Sequence, residues 1–592
     1  MATSEQLRVM ADRLRIHCLR MTTAAGSGHP TTCLSAAEIV SVLFFSAIGK
    51  NDEFILSKGH AAPLLWAVLA EAGRIPLRDL ATLRRIDSVL EGHPTARMPL
   101  VKVATGSLGQ GLSAGCGMAL AKKLAGAAGR VFVLLGDGET AEGSVWEAAD
   151  CAAHYRLDNL AVVVDANRLG QSGPTRHGHD LAAYERKFRA FGWEAVLVNG
   201  HDCGGLLDAL SAARGAGRPL AVIAKTFKGR GVSFLEDKQA WHGQPLSPEE
   251  LDRALAEIGP AEVCLHSDYS PARPRFTFTD YRGDEYSAEV QVSTRAAYGR
   301  AMLALGRANK RVVAIDGDVK NSTMAEEFFK AFPERSVQSF IAEQNMAGVA
   351  LGLSAMGYHP YVATFAAFLS RAHDFIRMAR YSEAIITFVG SHAGVSIGPD
   401  GPSQMGLEDL SIFLALPGAM VLYPCDAVAT EKLVRETARH SGISYLRTTR
   451  DKTPVLYGNN EEFPAGGLKV LRRSGRDRAL VVGAGITVHE ALAAHEALKA
   501  RGIAARVVDL YSLQPLPTAE LLKHAGECGR RVVVAEDHYG GVIAGLVARA
   551  VGRVTALHVG EIPRSGKGAE LLALMGIDRE AIVRAVSAQL KK

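Results

Sequence analysis

The sequence predicts an α/β protein of three domains with mostly parallel sheets, and three observations carry this prediction. Short apolar runs that end on polar turns alternate with helix-spaced apolar positions, as in the stretch 130–172. A chain of 592 residues has room for roughly three or four domains. Two stretches lack sustained periodicity, so we predict domains at 1–260, 291–450 and 468–592, joined by linkers at 261–290 and 451–467.

The stretch 130–172 is organised as one strand–helix–strand unit. Val131 to Leu135 and Leu160 to Val164 have the continuous apolar character of buried parallel strands. Asp137 and Asn167 follow them, at the sheet edge where α/β proteins bind ligands. Carboxylate, amide and backbone oxygens are ligands for Mg²⁺ or Ca²⁺ held together with phosphates. An ordinary turn explains Gly136-Asp137-Gly138 equally well, but Asn167 in the matching turn favours a metal and diphosphate site.

Glycine-rich loops and Gly-His pairs recur in the predicted first domain. Residues 22–32 and 103–111 are glycine-rich loops that lead into apolar helices, the first of which runs from about Leu34 to Phe45. Such loops can bring backbone N–H groups close to a phosphate. His29, His60 and His93 each follow a glycine, so their turns could converge on one cleft. Histidines 179 and 201 also follow glycines, but their polar segments are typical of solvated histidines.

The second and third predicted domains show the same alternation. We predict strands near 312–315, 337–342, 361–364 and 385–389 in the second, and near 479–482, 505–510 and 531–535 in the third. Met346 to Ser370 lacks charged residues and is long enough to span a membrane. His359-Pro360 and several glycines interrupt it, so a buried helix, turn and strand are expected instead.

Composition narrows the classes of partner. The net charge of +5 is small for this length, and Lys and Arg are scattered, so we expect no nucleic acid and no membrane partner, while anionic metabolites remain open. The eight cysteines include no Cys-x-x-Cys pair, which argues against a zinc site or a disulfide framework. The N-terminal stretch is a charged amphipathic helix without the apolar core of a secretory signal. A reducing, cytoplasmic location fits these features.

A series of segments resembles transketolase, in that family's order and across nearly the whole chain. They are SGHPTTCLSAAEI, LSKGHAAPLL, VATGSLGQGL, GDGETAEGSVWEAA, DANRLGQSG, AKTFKGRGV, WHGQPL, IAEQNM, ATFAAF, GVSIGPDGPSQMGLEDL, VAEDHYGGV and PRSGK. The likeness is closest to animal-type transketolases, because Gln404 stands where many bacterial and yeast relatives carry histidine. The segment 46–51 and the first linker are shorter than is usual in the family, but no motif residue is lost.

The resemblance implies two thiamine diphosphate-binding folds and a C-terminal transketolase-type α/β domain, with thiamine diphosphate and Mg²⁺ or Ca²⁺ as cofactors. It implies a metal site made of Asp137, Asn167 and the backbone oxygen of Leu169. The implied cofactor-binding residues are Lys58, His60, Gly106, Ser107, Leu108, Gly138, Asn167, Lys228, His242, Glu343, Phe365 and Phe368. The implied substrate-binding residues are His29, His93, His242, Arg295, Ser322, His392, Asp400, Gln404 and Arg450. The implied catalytic residues are Glu343, His29, His60, His93 and His242.

Glu343 has the most specific implied role. By the resemblance it shares a proton with the aminopyrimidine ring of the cofactor, so that the cofactor's own amine becomes the base. Without the resemblance, a lone glutamate at a strand end is usually a solvated or helix-capping carboxylate. Phe365 and Phe368 would likewise be ordinary core aromatics, and a lone arginine usually forms a surface ion pair.

The implied activity is the transfer of a two-carbon ketol (glycolaldehyde) unit through a dihydroxyethyl-thiamine diphosphate intermediate, in the non-oxidative pentose phosphate pathway. Donors would be ketose phosphates such as xylulose 5-phosphate, and acceptors aldose phosphates such as ribose 5-phosphate or erythrose 4-phosphate. The resemblance also implies a homodimer with active sites at the subunit interface. The alternatives are ketol transfer like that of dihydroxyacetone synthase or deoxyxylulose phosphate synthase, and a catalytically silent, transketolase-like interaction protein.

Overall fold

The computed structural model describes residues 2–212 and 217–591. The chain divides into two compact units. The first unit contains residues 1–275, 347–357 and 381–383, and the second contains residues 276–346, 358–380 and 384–592. The predicted second and third domains therefore fall mostly in one unit. The predicted domain limits at residues 1 and 592 lie outside the described residues, and the internal boundaries stay predictions.

The first unit is built on a sheet of five parallel strands. Their spatial order is Glu53–Leu56, Val131–Gly136, Leu160–Ala166, Leu220–Lys225 and Glu194–Asn199. The strand–helix–strand unit predicted at 130–172 is present, with the helix Gly143–His154 between its strands. Every residue of the two strands is buried, which explains their continuous apolar sequence.

Helices cover this sheet. The α-helices that begin in the first unit are Ser4–Ala24, Pro30–Ser35, Ala37–Val42, Ala62–Glu71, Gly111–Leu124, Gly143–His154, Leu181–Ala190, Cys203–Ala212 and Pro248–Ile258. The helix predicted from about Leu34 to Phe45 is broken instead. Its first piece ends at Ser35 because Ala36 leaves the helical conformation, with φ −99° and ψ 10°, and its last turn, Leu43–Ala47, is a π-helix.

The second unit contains a sheet of seven strands. Their order is Ser512–Gln514, Met420–Leu422, Ile443–Arg447, Ile386–Ser391, His359–Phe365, Val312–Asp316 and Ser336–Gln338, all parallel except the first. The α-helices that begin in this part are Thr294–Ala308, Lys320–Thr323, Glu326–Ala331, Glu343–Ala355, His373–Tyr381, Asp409–Leu414 and Ala427–Arg439. Gln291–Ser293 and Lys452–Pro454 form a separate antiparallel pair.

The strand predicted at 337–342 is shorter than expected. It ends at Gln338, because Phe340 adopts a left-handed backbone conformation with φ 53° and cannot continue a strand. The predicted position of Glu343 at a strand end is therefore wrong. Glu343 instead begins the helix Glu343–Ala355.

The C-terminal part of the second unit has its own five-stranded sheet. The order is Lys469–Arg472, Arg506–Asp509, Leu480–Gly483, Val532–Tyr539 and Thr555–Val559, and only the first pair is antiparallel. Its helices are Thr487–Ala500, Thr518–Glu527, Val542–Val551, Gly568–Leu574 and Arg579–Lys591. The predicted fold class, α/β with mostly parallel sheets, is confirmed. Within residues 2–212 and 217–591, no helix is both long and apolar enough to cross a membrane.

Candidate functional site

The carboxyl ends of the parallel strands in the first unit border a cavity of about 420 Å³. Lys58, Asp137 and Asn167 each follow a different strand of this sheet. Parallel strands present their carboxyl ends at one edge, so residues distant in sequence meet there. The predicted site residues that line the cavity are His29, Lys58, His60, His93, Gly106, Leu108, Asp137, Gly138, Asn167, Leu169, Lys228 and His242. Ser107 lies in the same loop as Gly106 and Leu108.

The predicted metal ligands provide three oxygen-bearing groups at this edge. The Asp137 carboxylate accepts hydrogen bonds from Arg168 N at 2.7 Å, Gly138 N at 2.8 Å and Thr175 Oγ1 at 2.9 Å. Asn167 Oδ1 accepts one from Leu169 N at 3.2 Å. Leu169 O accepts from Lys228 Nζ at 2.9 Å. A carboxylate offers about four acceptor sites and a carbonyl two, so the three groups can still bind a cation. Hard oxygen donors of this kind suit Mg²⁺ or Ca²⁺.

Within the residues that the structure describes, no group of three or more His, Cys, Asp or Glu side chains is arranged to hold a metal ion. The predicted metal site differs from such a group, because it contains one carboxylate, one amide and one backbone carbonyl.

Asp165, the partner of Lys58 in a buried ion pair beneath the cavity, is absent from the predicted residue set. The Lys58 ammonium contacts the Asp165 carboxylate, and the two side chains are 1% and 0% exposed. Asp165 also accepts hydrogen bonds from Ser35 Oγ at 2.7 Å and from the Thr226 hydroxyl. Burial opposes ionisation, but Lys58 and these donors outweigh it and hold the pKa of Asp165 below its ordinary value. The one sequence signal was its position two residues before Asn167.

Glu139 is a second residue that sequence reasoning missed. Its carboxylate accepts hydrogen bonds from Ser57 Oγ at 2.5 Å, Gly109 N at 2.8 Å and Gly136 N at 3.0 Å. It therefore ties the glycine-rich loop 103–111 to the end of the strand Val131–Gly136. Burial raises its pKa despite these donors. Its place in the segment GDGET was visible in the sequence, but its partners were not.

Four histidine rings share the cavity. The ring centroid of His29 lies 5.5, 6.2 and 5.3 Å from those of His60, His93 and His242. Burial is the largest cause that lowers the pKa of each of them, and neighbouring cations or histidines lower it further. The pKa values of His29 and His242 fall to about 4. These two rings are therefore neutral at neutral pH, and a neutral imidazole donates at one nitrogen and accepts at the other.

Glu343 of the second unit is buried, with 5% of its surface exposed. Its Oε2 atom accepts no hydrogen bond from the described residues, and Arg371 Nε lies 4.0 Å away. A buried carboxylate oxygen without a donor is costly. An N–H group placed beside this oxygen would supply the missing donor.

The two predicted aromatic residues form a stack with a predicted substrate-binding histidine. The Phe365 and Phe368 rings lie 5.1 Å apart at an angle of 10°, and the Phe365 and His392 rings lie 3.8 Å apart at 16°. The stack presents flat apolar surface, which suits an aromatic ligand. Burial, followed by Arg295, lowers the pKa of His392 to about 4.

The remaining predicted substrate residues belong to the same unit. Arg295 Nη1 donates to Ser322 O at 2.8 Å, and Arg450 Nη1 donates to Asp400 Oδ2 at 2.8 Å. Burial and then Arg450 lower the pKa of Arg295, as expected for two neighbouring cations. Two close guanidinium groups favour a doubly charged anion such as a phosphate. Gln404, at the end of the short turn Pro402–Gln404, is half-buried.

Comparison with known proteins defines the class of this chain. A family model described as the transketolase thiamine diphosphate binding domain matches residues 6–264. The transketolase pyrimidine binding domain matches residues 290–455, and the transketolase C-terminal domain matches residues 468–582. The domains of a thiamine diphosphate-binding fold are thus present in sequence order.

Relatives match the chain over nearly its whole length. Mouse transketolase-like protein 2 is 47% identical over 99% of this chain and 97% of its own length. Rat transketolase is 47% identical and human transketolase 46% identical, each over 99% of this chain and 98% of its own length. The chain therefore belongs to the transketolase family, and the resemblance seen in the sequence is confirmed.

Solved structures agree in fold. Campylobacter jejuni transketolase has a TM-score of 0.87 at 23% identity, covering 99% of this chain and all of that one. A complex of Pichia stipitis transketolase with sedoheptulose 7-phosphate has a TM-score of 0.86 at 22% identity, covering all of this chain and 98% of that one.

Proposed function

We propose that this chain is a catalytically active transketolase. It would transfer a two-carbon ketol unit from a ketose phosphate such as xylulose 5-phosphate to an aldose phosphate such as ribose 5-phosphate or erythrose 4-phosphate, as in the non-oxidative pentose phosphate pathway. The observation that carries the proposal is the buried Glu343 carboxyl, whose Oε2 atom lacks a hydrogen-bond donor. The N–H groups of an aminopyrimidine would satisfy it. Thiamine diphosphate, when bound, would supply a nucleophilic carbon and an electron sink.

The residues of the cavity fit the diphosphate end of that cofactor. Asp137, Asn167 and the backbone oxygen of Leu169 would hold Mg²⁺ or Ca²⁺. Gly106 approaches the His93 ring so closely that a Cβ atom would lie 2.9 Å from it, so the glycine leaves backbone bare beside the cavity. Lys228 adds positive charge for a phosphate.

The chain's own side chains would move and hold protons. Glu343 would hold a proton beside the pyrimidine ring, while Phe365 and Phe368 would stack on it. Hydrogen bonds to the sugar oxygens would come from His29, His60, His93 and His242. A neutral imidazole ring can either donate or accept a hydrogen bond as the charge on those oxygens changes. Arg295, Ser322, His392 and Arg450 would bind the terminal phosphate, while Asp400 and Gln404 contact sugar hydroxyls.

We propose a homodimer in which the active sites lie at the subunit interface, and a cytoplasmic location. In this proposal the protein binds neither a membrane nor nucleic acid.

A turnover assay tests the proposal. The wild-type protein should transfer a ketol unit from xylulose 5-phosphate to ribose 5-phosphate, and turnover should require added thiamine diphosphate and Mg²⁺. Glu343→Gln should lose at least about a hundredfold in turnover at saturating cofactor, because removing a positioned acid or base costs about 10²–10⁴. Glu431→Gln is the matched control, since Glu431 is also buried in the second unit but has no proposed role.

Three outcomes would contradict parts of the proposal. Near wild-type turnover of Glu343→Gln would remove its proposed role. Faster reaction with formaldehyde or pyruvate than with ribose 5-phosphate would point to the synthase-like alternatives. No turnover by the wild-type protein with any of these substrates would favour the silent, transketolase-like alternative.

A further inference from the structure

The segment 392–406, here called the substrate loop, carries three of the proposed substrate-binding residues, His392, Asp400 and Gln404. Two backbone hydrogen bonds close its base. Gly394 N donates to Gly406 O at 2.9 Å, and Gly406 N donates to His392 O at 3.1 Å. Between them the chain forms only the short 3-10 turns Val395–Asp400 and Pro402–Gln404. A loop with so little internal structure depends for its position on the groups that hold its base.

Arg447 holds that base. It is the last residue of the strand Ile443–Arg447 and is fully buried. Its Nη2 atom donates to Gly406 O at 2.8 Å, the same oxygen that accepts from Gly394 N. Its Nε atom donates to Asp409 Oδ2 at 2.8 Å, just beyond the loop. The guanidinium thus fixes the point at which the loop returns to the fold.

The second carboxylate on Arg447 comes from the C-terminal domain. Asp537, in the strand Val532–Tyr539, accepts from Arg447 Nη1 at 2.8 Å on Oδ1 and from the Tyr423 hydroxyl at 2.9 Å on Oδ2. Its backbone oxygen accepts from Arg447 Nη2 at 3.2 Å. Both charged side chains of this pair are fully buried. A buried guanidinium needs such complete pairing, because an unmatched buried charge is strongly destabilising.

The C-terminal domain also touches the loop directly. A Cβ atom at Gly394 would overlap the Asp537 carboxylate, so this carboxylate packs against the loop's own backbone. Tyr539 N donates to Leu407 O at 3.1 Å, immediately after the loop. Near the tip, a Cβ atom at Gly398 would lie 2.8 Å from Gly566 O. The C-terminal domain therefore contacts the loop at its base and near its tip.

The strand that carries Arg447 links the base to the tip. Three residues after Arg447, the Arg450 guanidinium donates to Asp400 Oδ2 at 2.8 Å and to Ile397 O at 3.4 Å. A shift of the strand end would move a proposed phosphate-binding arginine and the substrate loop together.

We infer that Asp537 and Arg447 are positioning residues, through which the C-terminal domain sets the affinity of the substrate loop for the distal part of a sugar phosphate. The inference rests on the proposed function, which assigns His392, Asp400 and Arg450 to substrate binding. It gives the C-terminal domain a role in recognition. Binding of the distal hydroxyls and the phosphate of a long substrate depends on this positioning, whereas binding of the reacting carbons does not.

Paired acceptors test the inference. With full-length protein, saturating cofactor and saturating xylulose 5-phosphate, kinetics are measured with ribose 5-phosphate and with glycolaldehyde, which has neither distal hydroxyls nor phosphate. Asp537→Asn should raise the KM for ribose 5-phosphate about tenfold or more, since small displacements of binding groups have effects of this size. Its kcat and its KM for glycolaldehyde should stay within about threefold of wild type.

Two further variants keep the test decisive. Tyr423→Phe removes the hydroxyl that lies 3.1 and 2.9 Å from the two Asp537 carboxylate oxygens but keeps the ring that lies 4.5 Å from the Arg447 guanidinium. It should therefore fold and shift the KM for ribose 5-phosphate in the same direction by less. Asp477→Asn is the control. It breaks another buried pair of the C-terminal domain, with Arg506 at 3.1 Å, and should leave both acceptors unchanged.

The contrary results are distinct. Unchanged KM for ribose 5-phosphate in Asp537→Asn and Tyr423→Phe, equal losses with both acceptors, or the same losses in Asp477→Asn would each overturn the inference. Failure of the wild-type protein to turn over would refute the proposed function instead. Hydrogen exchange then still tests the positioning, because amides 392–406 should exchange faster in Asp537→Asn than in Asp477→Asn, and equal protection would overturn it.

Discussion

Replacing Lys58 by methionine isolates the energetic role of the buried cation beneath the cavity. Methionine keeps an unbranched apolar stem but removes the charge. Asp165 is fully buried and keeps its hydrogen bonds from Ser35 and Thr226, yet it loses its counter-ion. Breaking a buried pair in this way costs about 3–5 kcal/mol, so we expect the free energy of unfolding of the first unit to fall by that amount at neutral pH.

The loss should depend on pH, and its sign follows from the pKa of Asp165. In the wild-type protein Lys58 and the hydrogen bonds outweigh burial and lower this pKa. A carboxyl with a lowered folded-state pKa adds stability above its unfolded-state pKa, and that stability is lost as the pH falls through the folded-state value. Without Lys58, burial raises the pKa instead. The variant is then penalised most at neutral pH, and its penalty shrinks as Asp165 takes up a proton in acid.

Urea unfolding followed by tryptophan fluorescence measures this unit alone. All four tryptophans of the chain lie in it, at positions 66, 146, 193 and 241. Lys123→Met is the control, because Lys123 pairs with Asp158 at 2.7 Å with both side chains 39% exposed. Such a surface pair contributes less than about 1 kcal/mol. Equal losses of stability in Lys58→Met and Lys123→Met, or the same loss for Lys58→Met at neutral pH and in acid, would contradict this role of Lys58.

Two other predictions concern packing and titration. A Cβ atom at Gly352 would overlap Ala114 O, so Gly352→Ala should lower the unfolding free energy of the first unit by about 1–3 kcal/mol. The control Gly143→Ala places its Cβ atom in open space and should change this free energy by less than about 1 kcal/mol. Equal losses for the two variants, measured by tryptophan fluorescence, would rule out the close contact. Burial raises the pKa of Glu536 to about 7 although Ile543 N and Ala544 N donate to it. This carboxyl binds a proton on folding, so the unfolding free energy of the wild type should rise by up to about 3 kcal/mol relative to that of Glu536→Gln as the pH falls from about 8 to about 5. Hydrogen exchange of the strand Val532–Tyr539 measures this difference, and a difference that does not change with pH would contradict the prediction.

The features predictable from sequence are those encoded locally. The strands Val131–Gly136 and Leu160–Ala166 could be predicted because both faces of each are buried, which leaves a continuous apolar run. Asp137 and Asn167 could be placed because they follow those strands directly. The strand predicted at 337–342 failed because its pattern does not reveal the left-handed conformation of Phe340.

Pairings between distant residues could not be predicted in this way. Lys58 and Asp165 are 107 positions apart, and Arg447 and Asp537 are 90 apart. No local pattern specifies such a contact, because it depends on which strands become neighbours in the sheet. The proposed roles of Glu343, Arg295 and the other residues of the second unit likewise came from the family resemblance, not from spacing.

These two buried pairs raise the question of why ions lie in the interior at all. A buried ion pair is often no more stable than a well-packed apolar replacement, so stability does not account for Lys58 and Asp165 or for Arg447 and Asp537. Lys58 and Arg447 lie where strands end and the irregular segments that we propose for binding begin. An apolar core can slide or repack, whereas a guanidinium or ammonium bonded to named oxygens fixes both direction and distance. We therefore expect both pairs to contribute to the geometry of the proposed binding segments, and for Arg447 and Asp537 the comparison of two acceptors separates substrate affinity from the stability of the fold.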